Sequence, residues 1–124
     1  QTEKVAQVMS TIDRGQFWGS DGPNGEYLFN PQSYEDSPQS INYNVVISAP
    51  HLHAHVLELL SDKLVPGNKV LDVGSGTGIL CAAFWECMKT EHPYTAVVGI
   101  EHIDYLAQSS LRNLSRSYEQ QLKD

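Results

Sequence analysis

The amino-acid sequence predicts an α/β fold built on a doubly wound parallel sheet, and three observations carry that prediction. A short apolar strand, Lys69 to Val73, runs directly into the glycine turn "GSGTG", Gly74 to Gly78. A helix, "ILCAAFWECMK", Ile79 to Lys89, follows the turn, and a second apolar strand, "TAVVGIE", Thr95 to Glu101, follows the helix. A further helix from Ile103 to about Tyr118, with Leu106, Leu111 and Leu114 among its apolar positions, completes the series. Strand, turn, helix, strand, helix is the order of a right-handed crossover unit, the start of a Rossmann-like sheet. A chain of 124 residues that is 40% hydrophobic and 19% charged holds enough apolar material for a single domain with one core.

Upstream of the sheet, Val5, Val8, Met9 and Ile12 follow the i, i+3, i+4, i+7 spacing of an amphipathic helix over Lys4 to Asp13, with Thr2 as its N-cap. From Gly15 to Ser40 the text "GQFWGSDGPNGEYLFNPQSYEDSPQS" is dense in turn formers and reads as a long surface loop. Loops of that length without regular structure are usually lids or disordered segments. Its aromatics Trp18, Tyr27, Phe29 and Tyr34 serve either as a lid over a peptide or as anchors to the core. Tyr43 to Ser48, "YNVVIS", is a short β-branched run, read as extended chain or a brief strand. Pro50 then starts a helix whose apolar face is Leu52, Val56, Leu59, Leu60 and Leu64, stopped by Pro66-Gly67. No internal repeat or low-complexity tract is present.

Eight Lys and Arg against fifteen Asp and Glu leave a net charge of −7, which repels nucleic-acid phosphates and anionic membranes, so neither is expected as a partner. No apolar run approaches the roughly 20 residues needed to span a bilayer, and no basic segment followed by an apolar one opens the chain. Cys81 and Cys87, on one helix, point about 120° apart and cannot bridge each other. Reduced thiols fit the cytosol, and a soluble cytoplasmic protein is the expectation.

The glycine turn carries the chemistry. Gly74, Gly76 and Gly78 alternate where the chain leaves a strand and enters a helix, which permits positive φ and close approach of a ligand to bare backbone. A dinucleotide site reads G-x-G-x-x-G and seats its pyrophosphate on the helix N-terminus. Here the order is D-x-G-x-G-x-G, with Asp72 inside the strand end. A carboxylate at that turn disfavours a diphosphate and favours a cationic ligand. Glu101 closes the second strand, where an acid can accept hydrogen bonds from both ribose hydroxyls. Together these features point to S-adenosylmethionine, a nucleoside with a sulfonium centre and an amino-acid tail, held by Asp72, Gly74, Gly76, Gly78 and Glu101. Two other readings of the turn stand beside it: a turn that only permits tight packing of strand on helix, and a nicotinamide site. On the first reading the chain is one domain, with residues 1–48 as a helix-and-loop substrate or lid region and residues 49–124 as the cofactor-binding half.

Four stretches carry a family resemblance: "SPQSI" at Ser37 to Ile41, "ISAPHLHAHVLELL" at Ile47 to Leu60, "VLDVGSGTGIL" at Val70 to Leu80 and "VVGIEHI" at Val97 to Ile103. The chain resembles the protein L-isoaspartyl (D-aspartyl) O-methyltransferases from its first helix to its last; "SAPHLHA" is the specific part, since the glycine motif alone fits most class I S-adenosylmethionine-dependent methyltransferases. The resemblance implies methyl transfer from S-adenosylmethionine, leaving S-adenosylhomocysteine, to the free α-carboxylate of isoaspartyl and D-aspartyl residues in damaged proteins. The ester then collapses to a succinimide, whose hydrolysis restores some normal aspartate. It also implies Ser48 at the active site, and Val45, Val46, Ile47, His53, the glycine turn with Thr77, Glu101 and His102 as cofactor contacts. Two departures are visible. Val46 stands where the family pattern is expected to have Thr, removing a hydroxyl. The turn-rich stretch between Phe17 and Tyr34 is also longer than expected by about ten residues.

The reaction so implied needs little acid or base catalysis, because a carboxylic acid with a reference pKa of about 4 is already ionised at neutral pH. Alignment of carboxylate and methyl group is the main task, with Ser48 as a hydrogen-bonding partner of the carboxylate and no His and Asp pair to make it a nucleophile. Ser48 also reads as the N-cap of the helix beginning at Pro50, and both roles can hold together. His51 and His55 share a helix face in the i, i+4 spacing some zinc sites use, but no third ligand is apparent, so no metal is expected.

Only two parallel strands are legible, whereas open α/β sheets have about four to six. The sheet reads as unfinished, and the chain, which starts at Gln1 and stops within a charged helical run, reads as the N-terminal portion of a longer fold. The expectation is therefore an isoaspartyl methyltransferase, monomeric at full length. Its alternative is a truncated, non-catalytic piece that binds cofactor or self-associates through an unpaired sheet edge. A different small-molecule methyltransferase remains only if "SPQSI" and "SAPHLHA" match by accident.

Overall fold

The structure, a computed structural model, describes residues 2–21, 23–24, 27–41, 45–89 and 92–122. Thr2 starts the first helix, α1 (Glu3–Thr11), by accepting a hydrogen bond from the Val5 N–H at 3.4 Å, as its position predicts. Two short antiparallel pairs follow: β1 (Gly19–Asp21) with β2 (Tyr27–Phe29), and β3 (Gln39–Ser40) with β4 (Val46–Ile47). Then come α2 (Pro50–Leu59), β5 (Lys69–Val73), α3 (Ile79–Met88), β6 (Ala96–Ile100) and α4 (Asp104–Tyr118). β5 and β6 are parallel, in register from Lys69 opposite Ala96 to Val73 opposite Ile100, with α3 crossing between them. This is the crossover unit the sequence predicts.

The core has two centres joined by α3, whose sequence is apolar on nearly every side and so suits a helix packed all round. Val5 and Val8 of α1 meet Leu57, Leu64 and the α3 residues Ala83, Phe84, Cys87 and Met88 in one centre. Phe17, Ile41, Ile47, Ile79, Ala82 and Leu106 form the other. Leu57 and Met88 are fully buried, each worth about 1.5–3 kcal/mol relative to exposure.

Three expectations are corrected. The stretch from Gly15 to Ser40 is not a loop without regular structure: it holds β1, β2, β3 and two 3₁₀ turns, Arg14–Phe17 and Pro31–Tyr34. Its turn formers act as caps, Asp13 accepting from the Gly15 N–H and Asn30 from the Gln32 N–H, both at 3.0 Å. Trp18 and Tyr27 anchor it rather than forming a lid: Trp18 packs on the second core centre, and Tyr27 donates its hydroxyl to Gly15 O at 2.6 Å beneath the Arg116 guanidinium. Residues 22, 25 and 26 of this stretch and the start of the expected strand, Tyr43 and Asn44, lie outside the described residues, as does the side chain of Phe29.

The second correction concerns α2, which ends at Leu59, short of the expected Leu64. It buries His53 and Leu57 and leaves Leu52, Leu59 and Leu60 exposed, because the turn after Leu59 redirects the chain and sends only Leu64 inward. Thirdly, Ser48 is not the N-cap. Ala49 occupies that position with no side-chain hydrogen bond, and Asp36 supplies the acceptor instead, taking the His51 N–H at 3.0 Å.

The sheet is covered on one face only. Val70, Asp72, Val97 and Gly99 look toward α3, and a Cβ added at Gly99 would sit 2.8 Å from Cys81 Sγ. On the other face Leu71, Val73, Val98 and Ile100 are 48 to 72% exposed. Parallel sheets normally carry helices on both faces. A groove of about 530 Å³ runs along β6 between α3 and α4, from Ser75 and Gly78 to Leu122. Among the described residues no helix is long and apolar enough to cross a membrane.

Candidate active site

The turn after β5 takes its shape from three glycines with positive φ, 79° at Gly74, 55° at Gly76 and 89° at Gly78. Gly74 and Ser75 donate their N–H groups to Ile100 O at 2.8 and 3.0 Å, tying the turn to the end of β6. The glycines differ in what they leave room for. A Cβ at Gly74 would meet nothing within 4 Å, so this backbone is open to a ligand. At Gly78 it would lie 3.3 Å from Leu114 and Ser110, so that glycine serves close packing of α4. Thr77 is buried; its hydroxyl accepts the Ile79 N–H at 3.4 Å, and its carbonyl accepts from the Asn113 amide at 3.0 Å.

Glu101, just past β6, spans the site with its carboxylate. One oxygen accepts the Gly76 N–H at 3.0 Å and the other the Ile103 N–H at 3.1 Å, and the side chain is 5% exposed. The Ile103 N–H, followed by that of Gly76, holds this carboxyl below its ordinary pKa of 4.5 against the opposing effect of burial. Two of its four lone-pair sites remain for a ligand. Asp72 is half-buried and shifted the other way, its pKa raised by burial and, less, by the Glu101 charge. Its Oδ2 accepts from Cys81 Sγ at 3.6 Å, and burial, with Asp72 beside it, pushes the Cys81 thiol up to about 12, which leaves it unreactive. Two carboxylates at the end of a parallel sheet favour a cationic group over a phosphate.

The β3–β4 pair brings the second group of expected residues beside the turn. Val45 accepts the Ile41 N–H at 2.9 Å, and Ile41 reaches the turn, 3.7 Å from where a Cβ of Gly76 would be. Ile47 is buried with Ile41 and Ile79, Val46 is exposed, and Ser48 is half-buried between β4 and α2. His53 lies one turn into α2 and is buried; burial, with the Arg14 charge, lowers its pKa from 6.5 to about 4, so it is neutral at physiological pH. His102 stands apart, with its side chain 88% exposed and Nδ1 3.4 Å from Glu101 Oε2. Both cysteines are free, His51 Nδ1 lies 2.9 Å from Asp36, and among the described residues no three His, Cys, Asp or Glu are grouped to hold a metal ion.

Sequence reasoning missed Arg14, Asp36 and Asn113. Arg14 is buried against His53 and the base of α1, Asp36 caps α2, and Asn113 joins Thr77 O to Phe17 O. Asn113 lies on the buried face of α4 with Leu106 and Ser110, a polar residue in an apolar stripe, and that is the signal that marks it.

The family model for protein-L-isoaspartate(D-aspartate) O-methyltransferase (PCMT) matches residues 1–123. The protein-L-isoaspartate O-methyltransferase of Triticum aestivum is 50% identical over 117 residues, covering 94% of this chain and 46% of that protein. Protein-L-isoaspartate O-methyltransferase 1 of Arabidopsis thaliana is 45% identical over 116 residues, covering 94% of this chain and 45% of its own length. A Plasmodium falciparum chain named for the same activity, solved in complex with S-adenosyl-L-homocysteine, superposes with a TM-score of 0.85 at 31% identity, covering 99% of this chain and 53% of that one. The chain thus spans about half the length of the curated relatives it matches. Because the match runs through the Ser48 hairpin and the glycine turn alike, from residue 1 to residue 123, the chain belongs to the protein-L-isoaspartate(D-aspartate) O-methyltransferase family.

Proposed function

We propose that this chain carries the cofactor site and part of the substrate site of an enzyme that methylates the free carboxylate of L-isoaspartyl and D-aspartyl residues in damaged proteins, with S-adenosylmethionine as methyl donor. One observation supports this most: the turn with its acid, Glu101, and the hairpin leading to Ser48 converge through Ile41 and Ile79 in a chain of this family. The cofactor supplies a methyl group already activated on a sulfonium. Its fit rests on the open backbone at Gly74 and on two acids with opposed environments, as well as on the complex reported for the Plasmodium relative.

In this reading Glu101 uses its spare lone pairs for the ribose hydroxyls, Asp72 offers negative charge to the cationic end, and Ser75 to Gly78 shape the turn around it. Val45, Val46, Ile47, His53 and His102 complete the cofactor's surroundings. Ser48 donates its hydroxyl to the substrate carboxylate, which is already ionised, so the site aligns reactants and needs no general base. Apart from the cofactor contacts at Val45, Val46 and Ile47, residues 1–48 serve the substrate, and residues 49–124 form the cofactor-binding half. The partners are isoaspartyl-containing proteins in the cytoplasm; the net charge of −7 disfavours nucleic acid. At full length the enzyme is a monomer, while the bare face of Leu71, Val73, Val98 and Ile100 favours self-association of this chain alone.

The test is transfer of label from S-adenosylmethionine by the intact protein to a short isoaspartyl peptide, with the aspartyl peptide as control. Label on the isoaspartyl peptide alone is expected; label on neither, from a folded sample, overturns the reading.

A further inference from the structure

Arg14 is 7% exposed and lines a cavity of about 200 Å³ together with Met9, Ile12, Pro50, His53 and Ile79. Its Nη2 donates to Ser37 O at 3.3 Å, but Nε and Nη1 have no hydrogen-bond partner. Among the described residues no carboxylate pairs with it: Asp36, the acid whose charge it senses, is committed to the His51 N–H and ring. A buried charge with unused donors is costly, and a cavity beside it gives an anionic group room to relieve that cost. The neutral His53 adds a polar neighbour without a competing charge.

We propose that Arg14 is a carboxylate-binding residue, taking the carboxylate of an amino-acid-sized group that enters this cavity. The volume is below the roughly 300–1,000 Å³ of a whole ligand site, so the cavity receives one end of a larger molecule. Resting on the methyltransferase reading, two sources carry that chemistry: the methionine tail of the cofactor and the isoaspartyl residue of the substrate.

Calorimetric titration of the intact protein and of Arg14→Met with S-adenosylhomocysteine and with its decarboxylated analogue separates them, alongside KM for an isoaspartyl peptide. If the tail is the source, Arg14→Met weakens S-adenosylhomocysteine by at least about tenfold and leaves the decarboxylated analogue unchanged. If the substrate is the source, cofactor affinity holds while the peptide KM rises by at least about tenfold at unchanged kcat. In both cases the unfolding midpoint of Arg14→Met stays level or rises, since an unpaired buried charge is removed, and Arg14→Lys recovers part of the loss. A folded Arg14→Met with both affinities intact overturns the inference, as does a lowered midpoint with equal weakening of both cofactor analogues. A wild-type protein that binds neither ligand overturns the methyltransferase reading and this inference together, whereas normal wild-type and variant behaviour overturns this inference alone.

Discussion

Glu101 and Arg14 are both charges withdrawn from water, and the chain treats them oppositely. Glu101 receives two backbone N–H groups, one on each oxygen, and its pKa falls as a result. Arg14 has one carbonyl, two unpartnered nitrogens and a pKa pulled down by burial. The first region is wired within itself: the same hydrogen bonds that satisfy the carboxylate fix the glycine turn against the start of α4. The second lacks its partner, which in our proposal is a ligand carboxylate. A preorganised acid with spare lone pairs and an unsatisfied cation beside a cavity are thus two differently prepared positions, one satisfied within the fold and one not.

The largest expected effect breaks the wired end. Glu101→Ala leaves the Gly76 and Ile103 N–H groups without their acceptor and should cost about 2–4 kcal/mol in denaturant unfolding, with Glu101→Gln costing less. A loss no larger than that of an ordinary surface substitution would dissolve the contrast. Next is the pH response of His53. It stays neutral in the fold down to about pH 4, while the unfolded chain protonates near 6.5, so between those values the unfolded state holds more protons and stability falls as pH is lowered. The loss at the acid end reaches about 3 kcal/mol, and His53→Gln should flatten that part of the stability profile.

The glycines sharpen the comparison at smaller scale. Gly74→Ala and Gly78→Ala both place a Cβ at positive φ, at a cost of about 1–2 kcal/mol. Gly78→Ala also crowds Leu114 and Ser110, so it should be the less stable, while Gly74→Ala should show its main effect in S-adenosylhomocysteine affinity. The smallest change is Val46→Thr. At 56% exposure it should leave stability within about 0.5 kcal/mol and alter only ligand affinity.

The parallel half of the fold was legible because its signals are long: five-residue strands, a helix apolar all round and glycines at fixed offsets. β1 to β3 are two or three residues each, too short for any alternation to declare them, and the caps around them look in the sequence like loop formers, whereas β4 falls inside the β-branched run Tyr43 to Ser48 that the sequence does mark. α2 misled because exposed Leu52, Leu59 and Leu60 share the helical spacing of core residues. In the site, Glu101 and the glycines announce themselves by position relative to a strand. Arg14 does not, since nothing local distinguishes an arginine buried by α1, α2 and residues 34–37 from one in solvent. Asp36 is equally silent, because its role as a cap depends on a helix 15 residues away.

The convergence of hairpin and turn into one two-part site is tested most directly with Ser48→Ala in the intact protein, measuring S-adenosylhomocysteine affinity by calorimetry beside kcat/KM for an isoaspartyl peptide. A fall in kcat/KM of about tenfold or more with cofactor affinity unchanged is expected from the proposed division of roles, in which Ser48 meets the substrate carboxylate and the turn holds the nucleoside. Unchanged kcat/KM, or an equal loss in both quantities, would contradict it.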